Sequence, residues 1–177
     1  MKATTKRLVM TALLAAVVCV ATMSIRIPTP STGGYIHPGD ALVILSGIIL
    51  GPVYGFLAAG IGSALADLLG GYFIYVPITL FIKGFAALFS GLIYKKMQKN
   101  SKTRYAAVLL GGIIDILLVT FGYFFCESFL YGAAGAAASI PANLIQGLSG
   151  MIISMVLYPA VSSIHEVQNI QHNSMIR

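Results

Sequence analysis

The sequence predicts an all-α integral membrane protein with six transmembrane helices, and three observations carry that prediction. Apolar residues make up 58% of the chain and charged residues only 9%, whereas soluble domains carry about a quarter charged residues. The apolar residues fall in long runs, giving a mean hydropathy of +0.89. A spanning helix needs roughly 20 apolar residues, so a chain of this length has room for about six with their loops. The basic residues gather in two places, Lys2, Lys6 and Arg7 at the start and Lys95, Lys96, Lys99, Lys102 and Arg104 in the middle. That is the pattern of cytoplasmic flanks, and it accounts for the net charge of +6 without nucleic acid as a partner. One membrane domain therefore fills residues 1–177, and no separate soluble domain is expected.

The first helix is expected at about 7–24. Val18 stands where a lipoprotein cleavage site before Cys19 would want a small residue, so this helix is read as uncleaved. Residues 25–39, "IRIPTPSTGGYIHPG", hold Pro28, Pro30, Gly33, Gly34, Pro38 and Gly39. They cannot sustain a helix and form a loop long enough to fold over the outer face as a lid. Asp40 follows as a candidate N-cap. From there to Leu69 the chain is apolar apart from Asp67, too long for one span and short for two. Charge decides: a single span would place the two basic segments on opposite faces, against the positive-inside rule. A break at Gly51-Pro52 places them on the same side, with helices at about 40–50 and 53–69. The helix at 40–50 is only about 16 Å long at 1.5 Å per residue, so its neighbours must bury it or the loop must extend it. The remaining helices are expected at about 73–94, 105–125 and 140–161, with "ESFLYGAAGAAAS" as a connection of small residues. Both termini are then cytoplasmic, and residues 163–177 form a polar cytoplasmic tail.

Polar groups within the spans mark the candidate site. Asp67, Lys83 and Asp115 stand at roughly 21, 18 and 16 Å from the inner helix ends at 1.5 Å per residue, close to one level. An isolated charge there costs about 2.5–3.5 kcal/mol. A structural ion pair of Lys83 with Asp67 or Asp115 offsets much of this, and the same lysine is a candidate ligand contact. Asn143 and Gln146 in "PANLIQG" lie three apart, hence on one helical face, and amides recognise heterocycles or hydroxyls as readily as they join helices. Tyr72 and Tyr75 flank the outer end of the fourth helix, where tyrosines form an interfacial belt or stack on a ring. The loop contributes Tyr35 and His37, and Glu127 lies at the outer boundary. Small residues form two stripes suited to close packing in lipid: Gly55, Ala59, Gly62 and Ala66, read as internal, and Ala12 and Ala16, open to an external partner.

Other classes lack their residues. No GxxxxGK[ST] phosphate loop is present, so the chain has no ATPase motif of its own. There is no HExxH, and His37, His165 and His172 fall outside the spans, which disfavours an intramembrane metal or serine–histidine enzyme. Cys19 and Cys126 have no metal-ligand spacing and read as free thiols. No metal and no cofactor is expected. A stand-alone ion-coupled secondary transporter would show inverted repeats; the two halves show no convincing one, and this reading stays as an alternative.

The string "GGYIHPGDALVILSGIILGPVYGFLAAGIGSALADLLGGY", then "TLFIKG" and the amides of the last helix, resembles the substrate-binding S components of energy-coupling-factor (ECF) vitamin transporters, over about 7–162. The pattern GD…LGP…G…ALADLLGGY…KG is closest to the branch associated with riboflavin, pyridoxine or hydroxymethylpyrimidine uptake. The resemblance implies six packed helices in the prokaryotic plasma membrane, surrounded by lipid, with a vitamin site at the outer side. It implies partners as well: an ECF transmembrane coupling subunit docked on the AxxxA motif that Ala12 and Ala16 match, and two ATPase subunits. The function it implies is capture of a small water-soluble vitamin, pyridoxine- or hydroxymethylpyrimidine-like, with riboflavin as the alternative. Lys83, Asn143 and Gln146 would contact it, with Tyr35, His37, Tyr75 and Glu127 closing the site.

Overall fold

The computed structural model describes residues 3–29 and 32–175. Lys2 and Pro30 lie outside them, as does the side chain of His172. The element order is α1 (Ala3–Ser24), β1 (Ile27–Pro28), β2 (Tyr35–Ile36), α2 (Asp40–Leu50), α3 (Pro52–Gly70), α4 (Tyr75–Met97), α5 (Ser101–Ala137), α6 (Ile140–Ser162) and α7 (His165–Met175). Among the described residues, α1, α3, α4, α5 and α6 are long and apolar enough to cross a membrane, and α2 is a shorter apolar helix. Their outward side chains are those of a lipid-facing surface: Val20, Phe125 and Val156 are each more than 60% exposed, at 68%, 64% and 71%.

The short helix α2 is the axis of the bundle. Ten of its eleven residues are buried, because α1, α3, α4, α5, α6 and α7 all touch it. The problem its length poses is thus solved by burial. It ends at Gly51, whose φ of 82° and ψ of 177° lie in a region open essentially to glycine alone. Pro52 then opens α3 at a position where its missing N–H costs nothing. Close approach of α2 to α4 depends on a second glycine pair: a Cβ on Gly91 would come within 2.7 Å of the Gly47 carbonyl oxygen. Without a hydrophobic force between helices in lipid, such backbone contact supplies the packing attraction. The stripe Gly55, Ala59, Gly62 and Ala66 is wholly buried, as its spacing predicts.

Three expectations about the elements need correction. Asp40 is not an N-cap; it is the first residue of α2, behind Gly39, and caps nothing. A cap contributes about 1 kcal/mol, less than neutralising a buried ammonium, and Asp40 does the latter. The segment "ESFLYGAAGAAAS" is helical as far as Ala137, broken only at Gly132 (φ 78°, ψ 158°); alanine is the best helix former, so a run of small residues does not require a loop. Residues 25–39 contain a two-stranded antiparallel hairpin, with Ile27 opposite Ile36 and Pro28 opposite Tyr35.

Beyond α6 the polar tail forms an amphipathic helix. Val167 and Ile170 of α7 are buried in the same cluster as Ile48 and Leu50 of α2, Lys6 forms an ion pair with Glu166, and Gln171 Nε2 donates to the Ile48 carbonyl at 3.3 Å.

Candidate functional site

At the end of the bundle that carries the hairpin lies a small pocket, partly open to solvent, lined by Thr29, Gly34, Tyr35, His37, Asp67, Tyr75, Thr79, Tyr123, Glu127 and Asn143. The hairpin supplies one wall. The ends of α3, α4, α5 and α6 supply the rest, so five chain segments converge on a space that ligand pockets commonly occupy.

Helical spacing fixes several of these side chains. Tyr75 and Thr79 are one turn apart on α4, and Lys83 follows a turn deeper, all three buried. On α5, Asp115, Val119, Tyr123 and Glu127 form an unbroken i, i+4 column, again buried. The two columns face each other. Thr79 Oγ1 and the Tyr123 hydroxyl lie 2.9 Å apart, and the Tyr75 hydroxyl donates to Glu127 Oε1 at 3.0 Å. The Ser139 hydroxyl donates to Glu127 Oε2 at 2.5 Å and accepts from Asn143 Nδ2 at 3.4 Å. Glu127 is thus 3% exposed, shielded because α5 continues past it. On the other side the Tyr35 hydroxyl donates to Asp67 Oδ1 at 2.7 Å, and the Tyr35 ring lies 4.5 Å from that of Tyr72.

Beneath the pocket sits the buried charge. Lys83 Nζ is 2.5 Å from Asp40 Oδ1, with both side chains fully out of solvent. The ion pair expected with Asp67 or Asp115 is thus made with Asp40 instead. Asp40 reaches Lys83 because it opens the central helix, at a place where α4 packs closely. Asp115 belongs to the same charged cluster, beside Asp40 and Lys83. Asp67 is committed to Tyr35. Gln146 joins this layer to the hairpin: its Nε2 donates to Asp40 Oδ2 at 2.9 Å, and its Oε1 accepts the His37 backbone N–H at 3.0 Å. In turn His37 Nδ1 accepts the Gly39 N–H at 3.1 Å. Burial pushes the His37 imidazole down to about 4, since a charged ring has no water there.

Of the residues predicted to contact ligand, Tyr35, His37, Tyr75, Glu127 and Asn143 line the pocket. Lys83 and Gln146 stand one layer behind it, in the ion pair and the clasp just described. Sequence reasoning missed Thr79 and Tyr123. Each lies one helical turn or two from a charged residue singled out above, on the same face, which is the signal that would have found them. Asp40 was seen only as a cap.

Residues 2–163 match the family of ECF-type riboflavin transporter S components. The chain belongs to that family. An uncharacterised protein of Pyrococcus woesei is 38% identical over 136 residues, covering 77% of this chain and 88% of its own. The thiamine precursor transporter HmpT of Lactococcus lactis subsp. cremoris (strain MG1363) is 26% identical over 157 residues, covering 88% and 87%. Among solved structures, the S component of a bacterial ECF transporter matches with a TM-score of 0.64 at 23% identity, covering 90% of this chain and 96% of that one. The S component for biotin from an ECF-type ABC transporter matches with a TM-score of 0.51 at 21% identity, covering 88% and 92%. At those identities the structural likeness shows the S-component fold. This S component is accordingly a membrane transport protein, and α7 lies beyond the residues matched to the family.

Proposed function

We propose that this S component captures a small nitrogen heterocycle of the pyridoxine or hydroxymethylpyrimidine kind at the outer face of the plasma membrane. It then passes the compound inward through an ECF coupling subunit driven by two ATPase subunits. The observation that carries this reading is the small polar pocket under the hairpin. Its aromatic walls (Tyr35, Tyr75 and Tyr123) suit a flat ring, and Asn143, Thr79 and the carboxylates supply directional polar groups. The hairpin is the lid, and Gln146 is its clasp. The likeness to a thiamine precursor transporter over most of the chain supports a pyrimidine. The family description favours riboflavin as the second reading, for which the lid would have to open further to admit a three-ring system with its ribityl chain.

Mass spectrometry of the compound retained through detergent purification tests the reading. A pyridine- or pyrimidine-sized ligand is expected, a flavin would establish the second reading, and protein that binds neither class on titration would reject the proposal. Asn143→Leu should weaken binding of the retained compound about tenfold or more, the loss of one well-placed hydrogen bond in a buried site, with expression unchanged. Undiminished affinity would remove Asn143 from the site.

A further inference from the structure

The pocket wall is lopsided in charge. Two carboxylates, Asp67 and Glu127, line it, and no lysine or arginine does. Glu127 has both oxygens engaged, one with the Tyr75 hydroxyl at 3.0 Å and the other with the Ser139 hydroxyl at 2.5 Å. Asp67 does not. Its Oδ1 accepts from Tyr35 at 2.7 Å, while Oδ2 is buried and closes no well-formed hydrogen bond, on a residue only 3% exposed. Thr79 and Tyr123 face it as a hydroxyl pair 2.9 Å apart; one of their two hydrogens joins them, and Thr79 can turn the other toward Asp67. The nearby cations, Lys83 and Arg26, stabilise its charge at a distance, but Lys83 is bonded to Asp40 and Arg26 lies over the Tyr35 ring, 5.4 Å from its centroid.

A buried carboxylate whose acceptor sites are only partly filled, here by Tyr35 and a shared Thr79 hydroxyl, is costly, and native structures keep such a group only for a reason. In the wall of a ligand pocket the reason is a donor carried by the ligand. The geometry points to Asp67 as the anchor for an N–H or amino group on the edge of a neutral or cationic heterocycle. The same wall acts as a filter against compounds bearing a carboxylate or phosphate. Such an anion would meet two carboxylates, and no basic side chain in the wall, in a low-dielectric site, where like charges repel strongly. An acceptor such as a ring carbonyl, placed where the donor belongs, would face Oδ2 lone pair to lone pair. This inference rests on the reading of the pocket as the vitamin site and specifies which chemistry that site admits.

Calorimetric titration of the full chain in detergent tests it with two matched pairs and an anion. The pairs are 4-amino-5-hydroxymethyl-2-methylpyrimidine with its 4-oxo counterpart, and riboflavin with 3-methylriboflavin, in which the imide N–H is blocked; the anion is biotin. In the pair whose parent binds, the donor-bearing member should bind about 10- to 100-fold more tightly, the range for a hydrogen bond to a charged group, and biotin should not bind. Asp67→Asn should erase most of that ratio, and for the pyrimidines it should improve the 4-oxo compound relative to the amino compound, because an amide also offers a donor. A variant that merely misfolds loses both members together and does not change their ratio. If Asp67→Asn still binds the parent and keeps the wild-type ratio, or if biotin binds as well as the preferred parent, the inference is wrong even though the pocket is the vitamin site. If wild-type protein binds neither parent, the pocket reading itself fails and this inference falls with it.

Discussion

Lys83 holds an ammonium group entirely out of solvent, 2.5 Å from Asp40 Oδ1 and 5.7 Å from the centroid of the Tyr123 ring. Removing one partner of a buried pair leaves an uncompensated charge and typically costs 3–5 kcal/mol, whereas replacing both by well-packed neutral groups is often close to neutral. Lys83→Met should therefore lower the unfolding midpoint in detergent sharply, by a destabilisation of about 3–5 kcal/mol. Adding Asp40→Asn to it should restore much of the loss. Because Lys83 is absent from the pocket wall, the double variant should also keep ligand affinity within about threefold, inside the spread expected when no contact is lost. Equal stability of the single variant and the wild type would show that the pair does not hold the fold. A double variant that is stable yet blind to ligand would move Lys83 into the site. That a lysine at this depth needs a carboxylate was readable in the sequence. Which carboxylate was not, because Asp40 lies 43 residues away and only the packing of α2 against α4 brings them together.

In the proposed function the hairpin is the lid over the pocket, and two bonds tie it down around His37. Its backbone is clasped at His37 by Gln146 at 3.0 Å, and the His37 ring accepts the Gly39 N–H through Nδ1 at 3.1 Å. That second bond requires Nδ1 to be unprotonated. With the lid closed, burial holds the imidazole down at about 4; with the lid open, it returns to the usual value near 6.5. The open state then binds more protons than the closed state between those two values, so closure is favoured as pH rises through that window and is complete above about 6.5. Ligand affinity should be flat above pH 7 and fall below 6.5, approaching tenfold per pH unit toward 4. His37→Gln should flatten the curve, and a pH profile identical in the two proteins would exclude this histidine as the cause. The proline and glycine content of 25–39 announced a break in helix, and Gly51-Pro52 announced the α2–α3 turn. The strand pairing of the hairpin and the extra turns of α5 were not legible. The first depends on contacts with distant helices, and the second on alanines whose helical preference competes with their look as linker residues.

At the scale of the whole molecule, two stripes of small residues that look alike in sequence meet different fates. The α3 stripe is spent on the interior, where a Cβ on Gly62 would collide with the Ala15 carbonyl of α1. Thus Ala15, 7% exposed, is the small residue of α1 that packs inward, and Ala12 and Ala16 turn outward among Val9, Leu13 and Val20, exposed at 54%, 54% and 68%. The sequence reads the α3 stripe as internal and the α1 stripe as open, and the packing gives the cause: α1 lies against α3 and α2 chiefly on one side. Small residues spaced by four let another helix backbone approach closely. In the proposed assembly that helix belongs to the coupling subunit. Ala12→Leu combined with Ala16→Leu should leave ligand binding by the isolated chain unchanged, since neither residue is near the pocket wall. Vitamin uptake by cells supplying the coupling module should fall about tenfold or more, and the module should no longer co-purify, as close backbone contact is lost. Ala15→Leu is the contrasting variant: it overpacks the α1–α3 contact, costs about 1–3 kcal/mol of stability, and should harm the isolated chain itself. Normal uptake by the double leucine variant would place the coupling surface elsewhere on the bundle, whereas loss of binding by the isolated double variant would mean that the outward face of α1 serves the fold.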